Sequence, residues 1–195
     1  MHGMIGFFLL VLVWLPAAQA TAVRAVSLQE ALRHSELVLQ GWVAMRKVID
    51  DEGPRPFTRI VFAVEEVIKG DYAAPTLTLD FAGAPERGLV VSDMDYPEPG
   101  ERGIYFVESL RRRQANPLYG WSQGHFRIVV RDDRPVVVAA DGSPVVVLKP
   151  VAAEPGRLSH GVAKGVETRR QGWDRGLSPA AFKAVLRRWL EGEGR

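Results

Sequence analysis

The residues Gly120-Trp-Ser-Gln-Gly124 fit G-x-S-x-G, the spacing that sets a nucleophilic serine on a sharp turn. The chemistry would be acyl transfer, with Ser122 as nucleophile and Asp141 and His160 following in a workable chain order. That chemistry needs a strand before the serine and a helix after it. Here Gly124 leads into His125-Phe-Arg-Ile-Val-Val130, which reads as a strand, and the approach runs through a loop containing Pro117. Asp141 precedes Gly142, which spends it on a turn. The residues therefore predict no catalytic site. Ser122 sits in a turn feeding a strand, and a small serine hydrolase is the alternative.

Metal chemistry finds little support. His34, His125 and His160 are not paired at ligand spacing, and there is no H-E-x-x-H. Asp93, Asp95 and Glu98 offer hard oxygen ligands for calcium, but Pro97 and Pro99 interrupt and a full calcium loop is missing. No glycine-rich phosphate loop or dinucleotide fingerprint occurs, so neither metal nor cofactor is expected. Binding residues are expected in two places. Tyr119, Trp121 and Phe126 form an aromatic rim at one end of the fold, and Arg111-Arg112-Arg113 form a basic exposed loop suited to an acidic partner. His125 is expected to be a half-buried, hydrogen-bonded side chain.

The elements that must position these residues are mostly strands. Ser27-Leu-Gln-Glu30 is a capping box opening a helix from about Leu28 to Ser35. Glu36–Met45 follows as a strand with a bulge or bend at Gly41. Thr58–Ile68 and Thr76–Phe81 are β-branched or alternating, and Gly103–Glu108 and Phe126–Arg131 read likewise. Phe62, Val64 and Ile104 are core candidates. Val136–Ala140 and Val145–Leu148 flank Asp141-Gly142 as a hairpin. Residues 151–177 read as a Gly-rich basic arm. Ser178-Pro179 starts a helix whose Phe182, Val185, Leu186, Trp189 and Leu190 form one stripe, with Gly192 closing it.

The chain ends and composition bound the setting. Residues 1–20 carry no Lys, Arg, Asp or Glu, Ile5–Leu15 is one apolar run, and Ala18-Gln19-Ala20 has small residues at a cleavage site. This reads as a signal peptide cut after Ala20, which leaves no stable membrane span and implies a periplasmic or secreted protein. With 0 Cys, the mature chain must rely on its apolar core. Residues 21–150 are close to neutral and 151–195 are basic, a balance too weak to argue for nucleic acid. The organisation expected is a leader over 1–20, a β-barrel domain over 21–150, the arm over 151–177 and a helix over 178–192.

Phe62, Val64, Val67, Lys69 and Gly70, then Gly100, Glu101 and Phe106, follow the patterns F-x-V-x-x-V-x-K-G and G-E-x-x-x-x-F. On these motifs, residues 36–130 resemble a group of uncharacterised exported bacterial proteins with an OB-like barrel, distantly similar to netrin/TIMP-like modules. The resemblance implies a mostly-β fold, a small antiparallel OB-like barrel flanked by a short N-terminal helix and a C-terminal amphipathic helix. It also implies export. TIMP-like inhibitors reach a protease zinc through an N-terminal Cys, so with no Cys that mechanism does not carry over. The expected function is a secreted, non-catalytic binding module, its partner another envelope or exported protein. A purely structural envelope component is the remaining alternative.

Overall fold

A computed structural model describes residues 23–50, 55–152 and 156–193. The leader expected over residues 1–20 lies outside them. The first element is helix α1 (Leu28–His34), where Ser27 Oγ accepts the Glu30 amide at 3.0 Å. The reciprocal half of the capping box is absent because Glu30 turns instead to Arg24 and to the Tyr119 hydroxyl. Leu28, Ala31 and Leu32 put one apolar face of the helix into the core.

Six strands follow in one antiparallel sheet: β1 (Leu37–Ile49), β2 (Phe57–Lys69), β3 (Thr76–Ala82), β4 (Arg102–Val107), β5 (His125–Arg131) and β6 (Arg134–Val138). Their order across the sheet is β3-β2-β1-β4-β5-β6. A second sheet pairs β7 (Val145–Leu148) with β8 (Val166–Thr168). Helix α2 (Pro179–Glu193) ends the described chain, and Ser178 Oγ accepts the Ala181 amide at 3.2 Å. The helix runs through Gly192, which was expected to close it.

The fold is mostly β with two helices, but the large sheet is not a closed barrel. The terminal strands β3 and β6 do not meet, because other segments occupy part of each outer edge. Ala115 accepts from Ala82 on β3, and Leu177 accepts from Val137 on β6. Pairing between β4 and β5 spans only three residue pairs, Gly103 to Tyr105 against Arg127 to His125.

The sheet instead divides two cores. Val38, Ile104, Phe106, Phe126 and Ile128 point to one face, where α1 and α2 cover them with Leu28, Leu32, Phe182 and Leu186. Leu37, Leu39, Ile60, Phe62, Leu79, Phe81 and Tyr105 point to the other, under the long loops. The sequence stripe of α2 is thus spent on its own domain, Phe182 lying 5.0 Å from Phe126 ring to ring.

Gly41 is the expected bulge. The β1–β2 register shifts between Gln40 and Gly41, and a Cβ there would meet Ala63 O at 2.5 Å. The expected hairpin at Asp141-Gly142 is not formed. The turn exists, closed by Ala139 donating to Ser143 O at 3.0 Å and by a Val138–Pro144 bridge, but the strands do not pair beyond it and β7 pairs with β8. The hairpin lies one turn earlier, between β5 and β6. Its Asp132 and Asp133 both have positive φ, 50° and 58°, a conformation the short Asp side chain tolerates. Part of the segment expected as an arm is tied to the start of the described chain: Ser159 donates to Val23 O, Lys164 to Val26 O and Leu28 to Lys164 O, so residues 157–164 lie along residues 23–28.

Phe62 is fully buried and packs 4.6 Å from the Tyr105 ring. Phe62→Ala should cost about 3–5 kcal/mol in denaturant unfolding, cavity included. Val64 is only partly buried against the same core, so Val64→Ala should cost about half of that or less. Equal losses at the two positions would mean the faces of β2 are assigned wrongly.

Candidate functional site

Past β4 the chain loops over residues 108–117, and this loop carries the three consecutive arginines. Glu36 holds its start: Ser109 Oγ and the Leu110 amide both donate to Glu36 Oε2, at 3.1 and 2.9 Å. The Leu110 amide holds the Glu36 carboxyl below its ordinary value. Ala115 O then accepts the Ala82 amide at 2.8 Å, tying the end of the loop to the edge of β3. Between loop and strand edge runs a groove of about 310 Å³ that brings Arg59, Arg111, Arg112 and Arg113 together over Asp80, Leu79 and Leu110. Sequence reasoning found the loop arginines but missed Arg59, which cross-strand pairing brings beside them.

Arg59 forms a bidentate pair with Asp80 at 2.8 and 2.9 Å. Arg113 reaches the same carboxylate at 3.2 Å and lies 3.9 Å over the Phe57 ring. Arg111 is held only loosely, 4.0 Å from Glu36, and its side chain is 90% exposed. Arg112 makes an exposed pair with Glu108. Exposed pairs of this kind contribute little, so an incoming carboxylate competes for these guanidinium groups at small cost.

A second groove, about 410 Å³, continues past Ala82 and Ala115. It is apolar, walled by Pro56, Leu89, Val90, Val91 and Trp121. Leu89 and Val90 are more than half exposed. The loop that presents them is fastened by Arg46, whose side chain is only 6% exposed and pairs with Glu86 at 2.8 Å and Glu98 at 2.5 Å. Tyr96 donates to Ala82 O at 2.6 Å and fastens the same loop to β3.

The expected aromatic rim is not one surface. Phe126 is 1% exposed, wedged between Phe106 and Phe182, because β5 points it into the helix-covered core. Tyr119 is half-buried, stacked on His34 with its hydroxyl on Glu30. Only Trp121 reaches a groove, the apolar one.

Ser122 lies in a short 3-10 turn, Trp121–Gly124, that leads into β5. Packing accounts for the surrounding motif. Gln123 is buried, accepts from the Val26 amide and donates to Arg24 O, so it anchors the segment before α1. A Cβ at Gly124 would meet Tyr119 O at 2.3 Å. Ser122 and His160 do line one cavity of about 380 Å³, with Ser159 and Asp93. Among the described residues no hydrogen bond joins Ser122 to His160. Asp141 stays in its own turn, accepting from the amide and the hydroxyl of Ser143.

His125 is fully buried, where a half-buried residue was expected. Its Nε2 lies 2.5 Å from Glu101 Oε1, its Nδ1 3.2 Å from Asp95 Oδ2, and its ring stacks on Tyr105 at 5.2 Å. Burial pushes the imidazole down, but Asp95 and Glu101 outweigh it and hold it up at about 9. Against its own partial burial, Asp95 is held below the ordinary carboxylate range by the imidazolium. The result is a charged latch that pins the Asp95 loop and the start of β4 to β5. Nothing in the spacing of Asp95, Glu101 and His125 announces it. The remaining calcium candidates diverge: Asp93 faces the Ser122 cavity and Glu98 pairs with Arg46. No group of three or more His, Asp or Glu side chains that could hold a metal ion occurs among the described residues. No helix among them is long and apolar enough to cross a membrane.

Comparison with protein-family models, with curated proteins and with solved structures found no match.

The latch sets a pH window. His125 gains protons on folding, so its stabilisation is complete below its ordinary 6.5 and is lost as pH rises through about 9. Asp95 acts at the other end, its stabilisation present above its ordinary 3.8 and lost on acidification. Denaturation midpoints should hold level near pH 5–6 and fall by roughly 1–3 kcal/mol between about pH 6.5 and 9. The fall should be absent in His125→Gln. A fall of equal size in that variant would assign it to other groups.

Proposed function

We propose that this chain is an exported, non-catalytic binding module of a bacterial envelope, and that its ligand surface is the arginine-lined groove. One observation carries this reading: β2 and the 108–117 loop converge four guanidinium groups on one groove, with a single carboxylate, Asp80, in its lining. Two of them, Arg111 and Arg112, project into solvent and play no part in either core. Such a surface attracts acidic partners and steers their approach. The mostly-β antiparallel sheet with a helix before it is in keeping with the OB-like expectation, and the apolar run before Ala20 supports export. The partner class is another envelope or exported protein.

The test is affinity capture from envelope extract with the exported chain, Arg111→Glu/Arg112→Glu and Ser122→Ala as parallel baits. At least one protein should be retained by the wild type and by Ser122→Ala, and reduced about ten-fold or more by the charge reversal. Equal retention by all three baits would remove the groove from the function.

A second reading has one observation in its favour, the shared cavity of Ser122 and His160. A serine hydrolase there would be labelled by a fluorophosphonate at Ser122 Oγ, with fluoride as leaving group, and Ser122→Ala would abolish the label. Folded protein that takes up no label ends that reading.

A further inference from the structure

We propose that the open edge of β3 receives an extended, acidic segment of the partner protein as an added strand. The inference rests on the binding-module reading above and specifies how that groove is filled. It begins from the register of β3. Ala82 stands opposite Phe57, yet its amide donates outward to Ala115 O, and the Pro75 carbonyl accepts inward from Val64. In an antiparallel pair these directions alternate residue by residue. Thr76, Thr78 and Asp80 therefore share the outward direction of Ala82, while Leu77, Leu79 and Phe81 bond to β2. Ala115 occupies the Ala82 end of this edge and the Tyr72 hydroxyl donates to Thr76 O at the other, which leaves Thr78 and Asp80 as the open stretch. The groove lies along the next stretch, lined by Thr78, Leu79 and Asp80 on one wall and by the arginine loop on the other.

A strand edge flanked by a groove is the arrangement that accepts an added strand, where main-chain hydrogen bonds give affinity and alternate side chains give specificity. The two faces of such a strand would meet different chemistry. On one face lie Arg59, Arg113 and Asp80, joined by ion pairs. On the other lies the margin of the core, where Leu79 and Leu110 line the groove. The complementary segment alternates acidic and β-branched residues. Arg111 and Arg112, exposed at the rim, favour acidic ends and reject basic ones. The apolar groove beyond Ala82 and Ala115 would take a large apolar side chain at the end of the same segment.

The experiment uses the whole exported chain and a fluorescein-labelled peptide of about ten residues, alternating Glu and Val, read by fluorescence anisotropy at low salt. Parallel peptides replace Glu with Lys, or carry N-methyl groups on every Glu or on every Val. The Glu/Val peptide should bind. The Lys/Val peptide and Arg111→Glu/Arg112→Glu should each weaken binding about ten-fold or more. One N-methylated register, not both, should lose binding, because alternate amides of an added strand face β3. Hydrogen exchange at the Thr78 and Asp80 amides should slow when the peptide is present. Charge-dependent binding that tolerates both N-methylated registers and leaves those amides unprotected overturns strand addition and keeps the acidic-partner reading. Failure of the Glu/Val peptide to bind up to about 1 mM overturns strand addition as well, and the capture experiment then judges the binding module separately.

Discussion

The structure depends on β1 being the central strand. It pairs with β2 along nearly its whole length and with β4 along its first half. Leu37, Val38 and Leu39 are buried on both faces, so no residue in this stretch can be traded for a polar one without opening a core. A strand this long, buried on both sides, must also bend to let two layers close over it. The bend is made where the register slips around Gly41, and the absence of a side chain there lets β2 approach. Past Val43 the burial of β1 falls away to exposed and half-buried residues. The helix-covered core and the loop-covered core both begin at the same three residues.

Loops cover the second core, and loops alone have few apolar contacts to keep them in place. Two charge clusters, each built on a buried cationic side chain, supply what packing does not. Arg46 holds the 85–100 loop through Glu86 and Glu98, and His125 holds the same loop through Asp95. A buried ion pair is weak evidence for added stability, but breaking one side of it is expensive. That asymmetry suits a fastening: the loop has one well-defined position, and any other leaves a charge stranded. The same loop supplies Leu89–Val91 to the apolar groove, and the loop fastened by Glu36 supplies the arginines. Each groove thus has one wall formed by a loop fastened to the sheet, the arrangement that preorganisation of the proposed ligand surface requires.

What could be read from the sequence divides along the same line. Seven of the eight described strands and both helices were legible because their signals are local: β-branched runs, alternation, Ser27 and Ser178 as N-caps, and the stripe of α2. Gly41 was legible because glycine inside a strand pattern has few other uses. Pairing was not. Asp141-Gly142 carries the stronger hairpin signal, yet the hairpin formed at Asp132-Asp133, because β7 was taken by β8 from much later in the chain. The packing of residues 156–164 along 23–28 rests on backbone hydrogen bonds, which any sequence can make. For the site, Arg111–Arg113 were legible as a charge run. Arg59 and the His125 latch were not, since each is assembled from strands and loops distant in sequence. Phe126 was misplaced because an aromatic residue near a turn looks the same from the sequence whether its strand points it inward or out.

The two motifs that raise functional questions can be separated by asking how much of each the fold already requires. In Gly120-Trp-Ser-Gln-Gly124, Gly120 takes a left-handed conformation, Gln123 satisfies the backbone before α1, and Gly124 leaves no room for a Cβ. Both glycines and Gln123 are thereby accounted for, Trp121 packs partly buried against the loop-covered core, and the serine is what a short turn tolerates. The arginine run is different. The bonds that shape its loop come from Glu36, Asn116 and Ala115, which act on Ser109 and on backbone amides. Arg111 and Arg112 add little to that scaffold, and consecutive like charges repel. Arg111 and Arg112 thus lie outside what the scaffold requires, on a fastened loop beside a partly open strand edge, which is where the proposed ligand surface needs them.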